Sequence, residues 1–193
     1  TSKKLELAIR KLSPLVQVNT IYGAVDIEQY KKEYDKKNLR DRLGLSNKKF
    51  LIGYVGLFKT MGMEKGIATM IKTLTSLPSD CVMVFVGGKT DEIEEYKAQA
   101  MQLGVIEKCF FLPIQPFEKV VMYEKAMDVL VVPYPDKPHF RSFGFPMKIY
   151  EYMASGVPII YTKLELLEEV VSDCAYGIVP DSPSEFAKSI VDV

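Results

Sequence analysis

The 193-residue sequence predicts an α/β fold in which helices cover both faces of a doubly wound, mostly parallel sheet. Short and almost continuously apolar runs recur from Phe50 onward, which is typical of strands that are buried on both faces. Segments with helical spacing separate these runs, and Gly or Pro ends most of the elements. The composition agrees, because 48% apolar and 26% charged residues are ordinary for a globular domain.

Six apolar runs are predicted to form the strands, and helical segments follow them in alternation. The strands are predicted at residues 50–55, 81–86, 108–112, 128–132, 157–161 and 176–179. The helices are predicted at residues 66–77, 91–103, 117–127, 146–155, 164–172 and 183–193. Right-handed crossovers between parallel strands then produce a Rossmann-like sheet.

Residues 1–49 have a different pattern, which we interpret as a lead-in segment to the domain formed by residues 50–193. Within it the sequence predicts a helix at residues 5–12, a candidate strand at 15–18, a turn at 21–26 and a basic helix at 29–43. The first 50 residues carry 12 basic and 6 acidic side chains. A solvated surface explains this excess, and a patch facing a partner or an anionic membrane is the alternative.

Charge and cysteine usage exclude several classes of function. Basic and acidic residues number 25 each, so generic nucleic-acid binding is not expected. The three cysteines form no CxxC pair and His139 is the only histidine, which argues against zinc and disulfides and for a reducing, cytoplasmic compartment. No apolar run reaches the roughly 18 residues of a membrane span.

The loop at residues 56–66 is a candidate ligand site, because open parallel sheets bind ligands beyond the carboxyl ends of their strands. It places Lys65 where a helix is predicted to begin, an unfavourable position for a cation unless an anion lies there too. A solvent-facing lysine is the alternative. The loop contains neither GxGxxG nor a P-loop motif.

The loop at residues 133–146 is the second candidate, and its four prolines favour a fixed shape. Pro146 suits the first position of the helix that follows. Lys148 then falls in the first turn, where a phosphate would explain a cation. Glu151 lies three residues later on the same face and could accept hydrogen bonds from a ribose diol, although an exposed Lys–Glu pair is the alternative. The hypothesis requires Lys65 and Lys148 to share one cleft.

Several motifs together carry a resemblance to a known family. They occur at residues 55–56 with 65–66, 84–88, 103–105 with 110–113, 126–133 and 151–160, the last containing Glu-x-Met-Ala-x-Gly-x-Pro. Residues 21–26 resemble the family's NGVD turn. The chain therefore resembles the C-terminal, donor-binding half of retaining GT-B glycosyltransferases, in particular glycosyltransferase family 4 (group 1).

The resemblance implies a nucleotide-diphospho-sugar as donor substrate, hexosyl transfer with retention, and neither a cofactor nor a metal. It implies that Lys65 contacts the diphosphate and Glu151 the ribose, with Lys65, Lys148 and Glu151 as the catalytic set. The implied donor-binding residues are Gly56, Lys65, Gly87, Gly88, Pro113, Ile114, Gln115, Phe143, Gly144, Phe145, Pro146, Met147, Lys148 and Glu151.

It also implies that residues 1–49 come from the inter-domain region and that an acceptor-binding N-terminal domain is absent. A sugar or lipid acceptor would bind through that domain, with peripheral membrane contact as an option, and the isolated domain would be weak or inactive. The sequence departs from the family at Leu57, where an arginine is frequent, and at Phe143, where the E-x7-E motif has its first carboxylate. Lys59 or Arg141 could replace the arginine.

Two other functions remain open from the sequence. One is half of a nucleotide-sugar epimerase, which would need more catalytic carboxylates and histidines than a single His139 suggests. The other is a non-enzymatic, Rossmann-like nucleotide-binding module. A panel of nucleoside diphosphates would distinguish the module from the donor-binding domain.

Overall fold

The computed structural model describes residues 2–144 and 146–193, and its strands are as follows. They are β1 (Phe50–Val55), β2 (Lys59–Thr60), β3 (Met63–Glu64), β4 (Cys81–Gly88), β5 (Cys109–Pro113), β6 (Val129–Val132), β7 (Ile159–Thr162) and β8 (Tyr176–Ile178). Six of them form one sheet in the order β5-β4-β1-β6-β7-β8, and every neighbouring pair is parallel. The predicted Rossmann-like parallel sheet is confirmed.

Helices lie on both faces of this sheet. They are α1 (Lys3–Leu12), α2 (Lys36–Leu43), α3 (Ile67–Thr73), α4 (Thr90–Gln102), α5 (Phe117–Ala126), α6 (Pro138–Ser142), α7 (Lys148–Ser155), α8 (Glu165–Val171) and α9 (Pro183–Asp192). Helices α3, α4 and α9 pack on one face, and α2, α5, α7 and α8 pack on the other. None of the helices in the described residues is long and apolar enough to cross a membrane.

Strand β1 shows why the apolar runs are continuous. Ile52 and Tyr54 face the core beneath α3 and α4, whereas Leu51 and Val55 face the core beneath α5 and α7. Successive side chains of a strand point to opposite faces, so a strand covered on both sides needs apolar residues at every position. Each fully buried aliphatic or aromatic side chain contributes roughly 1.5–3 kcal/mol.

The strand order reverses between β1 and β6, and this creates a crevice. The chain runs from β1 through β4 to β5 on one side and returns to β6 on the other side of β1. The segments that follow β1 and β6 touch there, because a Cβ atom added to Gly66 would lie only 1.7 Å from the carbonyl oxygen of Pro133. Ligand sites of doubly wound sheets lie at such switch points.

Two predictions in the lead-in segment are wrong. Residues 15–18 form no strand, and the predicted helix at 29–43 is a 3-10 turn at Ile27–Tyr30 followed by the separate helix α2. Asp35 divides them, because its carboxylate caps α2 by accepting from the amides of Lys37 and Asn38. The buried Tyr30 holds the turn in place by donating its hydroxyl to Glu124 at 2.9 Å.

The two candidate loops contain elements that the sequence did not predict. Strands β2 and β3 form a hairpin inside residues 56–66, and α6 lies inside the proline-rich loop with Pro138 in its first turn. Helix α7 begins at Lys148, two residues after Pro146, with Met147 as its N-cap. The prediction that Pro146 occupies the first helical position is therefore wrong, because a turn in which Ile149 donates to the Pro146 carbonyl precedes the helix.

Candidate functional site

A cleft of about 240 Å³ opens at the carboxyl ends of β1 and β6. Both lysines that the sequence analysis singled out, Lys65 and Lys148, line it. The full lining is Thr60, Lys65, Tyr134, His139, Phe140, Gly144, Pro146, Met147 and Lys148. The cleft therefore joins the two candidate loops, one after β1 and one after β6, at the switch point of the sheet.

Lys148 projects from the first turn of α7 into the interior and is only 7% exposed. Its ammonium nitrogen is buried and has no hydrogen-bond partner within the described part of the chain. Burial lowers the pKa of Lys148 well below its usual value, and the positive charge of Lys65 lowers it further. The carboxylates of Glu151 and Glu124 oppose this shift. The cleft thus holds a cation whose donors are unused.

Gly56 and Gly87 allow Lys148 to reach this position. Gly56 has a φ of 136°, and a Cβ atom there would lie 2.8 Å from the Lys148 Nζ atom. Gly87 has a φ of 113°, and its Cβ atom would lie 2.6 Å from the carbonyl oxygen of Gly56. The ends of β1 and β4 can approach each other and the lysine only because neither position carries a side chain.

Lys65 also lines the cleft, directly after the β2–β3 hairpin. Its backbone amide donates to the carbonyl oxygen of Phe58 at 3.1 Å, which fixes the end of the hairpin loop. The side chain is half-buried, and burial lowers the pKa of Lys65, although Glu92 acts in the opposite direction. The amide of Gly66, at the start of α3, donates to the Glu64 carboxylate at 2.9 Å. The side chain of Lys65, rather than the Gly66 amide, is therefore what the chain offers to an anion here.

Glu151 lies one turn beyond Lys148 on α7 and is half-buried behind the cleft. Burial raises the pKa of Glu151, while the charge of Lys148 opposes the increase. Glu124 of α5 lies deeper and is completely buried, and burial raises its pKa to about 8. Its Oε2 atom accepts the Tyr30 hydroxyl, and its Oε1 atom has no partner among the described residues.

The other predicted site residues fall into two groups. Gly144, Pro146 and Met147 line the cleft, and Gly56 contacts Lys148. The remainder lie outside its lining, namely Gly87, Gly88, Pro113, Ile114, Gln115, Phe143 and Glu151. Gly88 packs against Phe58 and Ile93 in the core, and the Gln115 side chain donates to the Pro113 carbonyl at the end of β5. Phe145 lies outside the described residues.

Lys59 and Arg141, which could have replaced the arginine missing at Leu57, both have carboxylate partners outside the cleft. Lys59 pairs with Glu95 at 2.5 Å, and Arg141 forms two hydrogen bonds with Asp136. Neither lines the cleft. The positive charge that faces the cleft is therefore supplied by Lys65 and Lys148.

The sequence analysis did not assign roles to four residues that line the cleft: Thr60, Tyr134, His139 and Phe140. The His139 ring packs on Gly144, where a Cβ atom would lie 2.7 Å from its Nε2 atom. The aromatic content of residues 133–146 was the available signal, but it does not say which rings point inward.

The family of the chain follows from comparison with known sequences. Residues 35–193 match the family described as "Glycosyl transferases group 1". The chain belongs to this family. The match begins at Asp35, the N-cap of α2, so it includes the whole sheet and every residue that lines the cleft.

Known proteins are similar to this member of the group 1 family in sequence or in fold. The D-inositol 3-phosphate glycosyltransferase of Acidothermus cellulolyticus is 28% identical over 166 residues, which cover 81% of this chain and 36% of that protein. The crystal structure of Anabaena HepE in complex with UDP and glucose superposes with a TM-score of 0.74 at 23% identity, covering 89% of this chain and 46% of HepE.

The C-terminal domain of the group 1 glycosyl transferase LpcC from Francisella tularensis gives a TM-score of 0.70 at 20% identity. That match covers 88% of this chain and 87% of the LpcC domain. The prediction that the chain has the fold of the C-terminal domain of GT-B glycosyltransferases is therefore confirmed. The chain spans about a third of the curated relative and about half of HepE.

Within residues 2–144 and 146–193, no three His, Cys, Asp or Glu side chains are grouped so that they could hold a metal ion. Independence of metal stays a prediction. What this arrangement can do chemically is bind an anion between two lysines at the edge of a buried sheet.

Proposed function

We propose that this chain is the donor-binding part of a retaining, family 4 glycosyltransferase that transfers a hexosyl group from a nucleoside-diphosphate sugar to a sugar or lipid acceptor. Membership of the group 1 glycosyl transferases supports the class of reaction. The observation that carries the proposal is the buried ammonium group of Lys148, which has no hydrogen-bond partner among the described residues and shares a cleft with Lys65.

A diphosphate suits this cleft for electrostatic reasons. Burying a cation is costly unless it is paired, and a second cation nearby increases the cost. The oxygens of a diphosphate would accept hydrogen bonds from both lysines and offset their charge. Lys65 and Lys148 would then stabilise the negative charge that grows on the departing nucleoside diphosphate as the glycosidic bond breaks.

The other predicted residues would hold the rest of the donor. Glu151 would accept hydrogen bonds from the ribose, and Gly87, Gly88 and residues 113–115 would flank the base. Gly144 and Met147, in the cleft wall, would lie against the phosphates and the sugar. UDP is the first nucleotide to test, because HepE, which has the same fold, was crystallised with UDP and glucose.

The acceptor would bind to a part of the enzyme outside these 193 residues, since the curated relative and HepE are each roughly twice as long as this chain. We therefore expect this chain alone to bind the donor and to transfer little sugar. A cytoplasmic location, with the acceptor reached at a membrane surface, is part of the same proposal.

The test is calorimetric titration of the chain with UDP, GDP and uridine. We expect a nucleoside diphosphate to bind with an affinity that falls at least tenfold in Lys65→Ala and in Lys148→Met, while uridine binds weakly to every variant. Lys48→Ala is the matched control, because Lys48 is an exposed lysine at the opposite end of β1. Failure of both nucleoside diphosphates to bind the wild type, or an affinity in both cleft variants equal to that of the wild type, would contradict the proposal.

A further inference from the structure

The buried ammonium group of Lys148 lies against an aromatic ring rather than a carboxylate. Its Nζ atom is 3.5 Å from the centroid of the Tyr54 ring. Tyr54 is completely buried in β1, and its hydroxyl donates to the carbonyl oxygen of Leu57 at 2.8 Å. The ring is therefore fixed by the strand at one end and by the following loop at the other. A cation on the face of an aromatic ring is attracted by the ring quadrupole.

Tyr134 lies close to both lysines of the cleft. Its ring centroid is 5.7 Å from the Nζ atom of Lys148 and 6.0 Å from that of Lys65. The residue is only 3% exposed, its ring packs on Phe140 at 4.8 Å, and its carbonyl oxygen accepts the Thr162 hydroxyl at 2.9 Å. Both rings are thus held rigidly beside the cations. We call Tyr54 and Tyr134 the aromatic pair.

We propose that the aromatic pair positions the lysines for anion binding, holding their charge at the cleft while leaving the hydrogen-bond donors of Lys148 available. This inference rests on the proposed function of the same cleft. A carboxylate in van der Waals contact would neutralise Lys148 and compete with phosphate, whereas a ring face attracts the cation without accepting strong hydrogen bonds. The titratable groups that also act on Lys148 are Lys65, Glu151 and, where it is ionised, Glu124. None of them forms a hydrogen bond with its nitrogen.

The first test measures the pKa of Lys148 by NMR in protein that carries ¹³C-labelled lysine, with the signal assigned through Lys148→Met. Because the ring stabilises the charged form, we expect difluorophenylalanine at position 54, which keeps the shape and weakens the ring quadrupole, to lower this pKa relative to Tyr54→Phe. Tyr134→Leu should lower it too, and Tyr134→Phe should restore it. An unchanged or higher pKa in the fluorinated and Leu variants would overturn the inference.

Phe186→Leu is the matched control. It removes a completely buried ring of α9 that forms no ring contact with Tyr54 or Tyr134 and is within cation–π distance of neither lysine. The pKa of Lys148 in this variant should match that of the wild type. A decrease as large as in Tyr134→Leu would mean that loss of packing, rather than loss of the ring face, explains the effect.

The second test measures binding of UDP and inorganic pyrophosphate. We expect about tenfold weaker binding by Tyr134→Leu and recovery to within twofold in Tyr134→Phe. If the wild type binds pyrophosphate and Tyr134→Leu binds equally well, the positioning role is wrong although the proposed function stands. If the wild type binds neither ligand, the proposed function and the role in anion binding both fail, and the NMR titration still decides whether the rings stabilise the charge.

Discussion

Two basic side chains are buried at opposite ends of β1 and β6, and they differ in their hydrogen-bond partners. At the amino ends, Arg40 of α2 pairs with Asp128 at 2.7 Å and donates to the carbonyl oxygen of Ala126 at 2.8 Å. Asp128 also accepts the backbone amide of Leu51, at the start of β1, at 2.8 Å. At the carboxyl ends, Lys148 is equally buried and has no hydrogen-bond partner within the described residues.

This difference between Arg40 and Lys148 distinguishes a buried charge that stabilises the fold from one that is available for binding. The guanidinium of Arg40 ties α2 to the sheet, so its charge stabilises the folded chain. The charge of Lys148 is uncompensated in the same low-dielectric setting, so it costs stability until an anion arrives. Unpaired groups of this kind are common where a protein gives up stability for function. The buried charge at the amino ends of the strands stabilises the fold, whereas the buried charge at the carboxyl ends is available to bind an anion.

The largest expected effect comes from removing each cation in turn. Arg40→Met removes the buried partner of the Asp128 carboxylate, which keeps a salt bridge with Lys36 at 2.9 Å and the hydrogen bond from Leu51. We therefore expect a loss of roughly 1.5–3 kcal/mol in the free energy of unfolding. Lys148→Met removes an uncompensated charge and should raise that free energy by about 1 kcal/mol. Urea denaturation of both variants measures the difference. The contrast between the two ends fails if Lys148→Met is as destabilising as Arg40→Met.

A second comparison uses two glycines with positive φ. Gly66, at the carboxyl end, has a φ of 90° and no room for a Cβ atom beside Pro133, whereas Gly104, at the amino end, has a φ of 68° and nothing within 4 Å. Gly104→Ala should cost about 1 kcal/mol for the left-handed backbone alone. Gly66→Ala adds a clash with backbone, so we expect about 3 kcal/mol. Equal melting temperatures for the two variants would mean that the crevice can open without cost.

Glu124 is a third buried ionisable residue. Burial raises its pKa to about 8, so its carboxyl group is protonated near neutral pH. The folded state then binds a proton that the unfolded state releases. Stability should therefore be fully present below about pH 4.5 and fall as the pH rises towards about 8, by up to roughly 1.4 kcal/mol per pH unit.

Glu124→Gln removes this proton and keeps an acceptor for Tyr30, so its stability should depend less on pH between about 5 and 8. Urea midpoints of the wild type and the variant at several pH values provide the measurement. Parallel curves for the two proteins would show that Glu124 is ionised in the folded state.

The elements of the fold and the residues of the cleft differ in how far the sequence predicts them. The strands were predictable because a sheet covered on both faces needs apolar residues at every position, as in residues 50–55. Lys65 and Lys148 were predictable because each stands where a cation is locally unfavourable. The boundary at Asp35 was missed, although Asp is a frequent N-cap, because the basic residues on either side read as one helix.

The aromatic pair could not have been predicted from local pattern. Tyr54 reads as any apolar strand residue, and Tyr134 as one of several aromatics in a proline-rich loop. Their contact with Lys148 depends on the reversal between β1 and β6, which brings together three segments far apart in sequence. The contacts of the aromatic pair depend on tertiary packing, and local sequence pattern identified only the two lysines of the cleft.

The smallest expected effect is a proton taken up when the anion binds. The pKa of Lys148 is lowered by burial in the free protein, and a bound diphosphate would raise it by favouring the charged form. Between the two pKa values, affinity for UDP should fall as the pH rises, by at most tenfold per pH unit. Calorimetry above pH 7 in two buffers with different ionisation enthalpies measures the uptake, which should be at most one proton for Lys148. Lys148→Met should reduce the uptake. If it does not, another group takes up the proton, and Lys148 has the same charge in the free and in the occupied cleft.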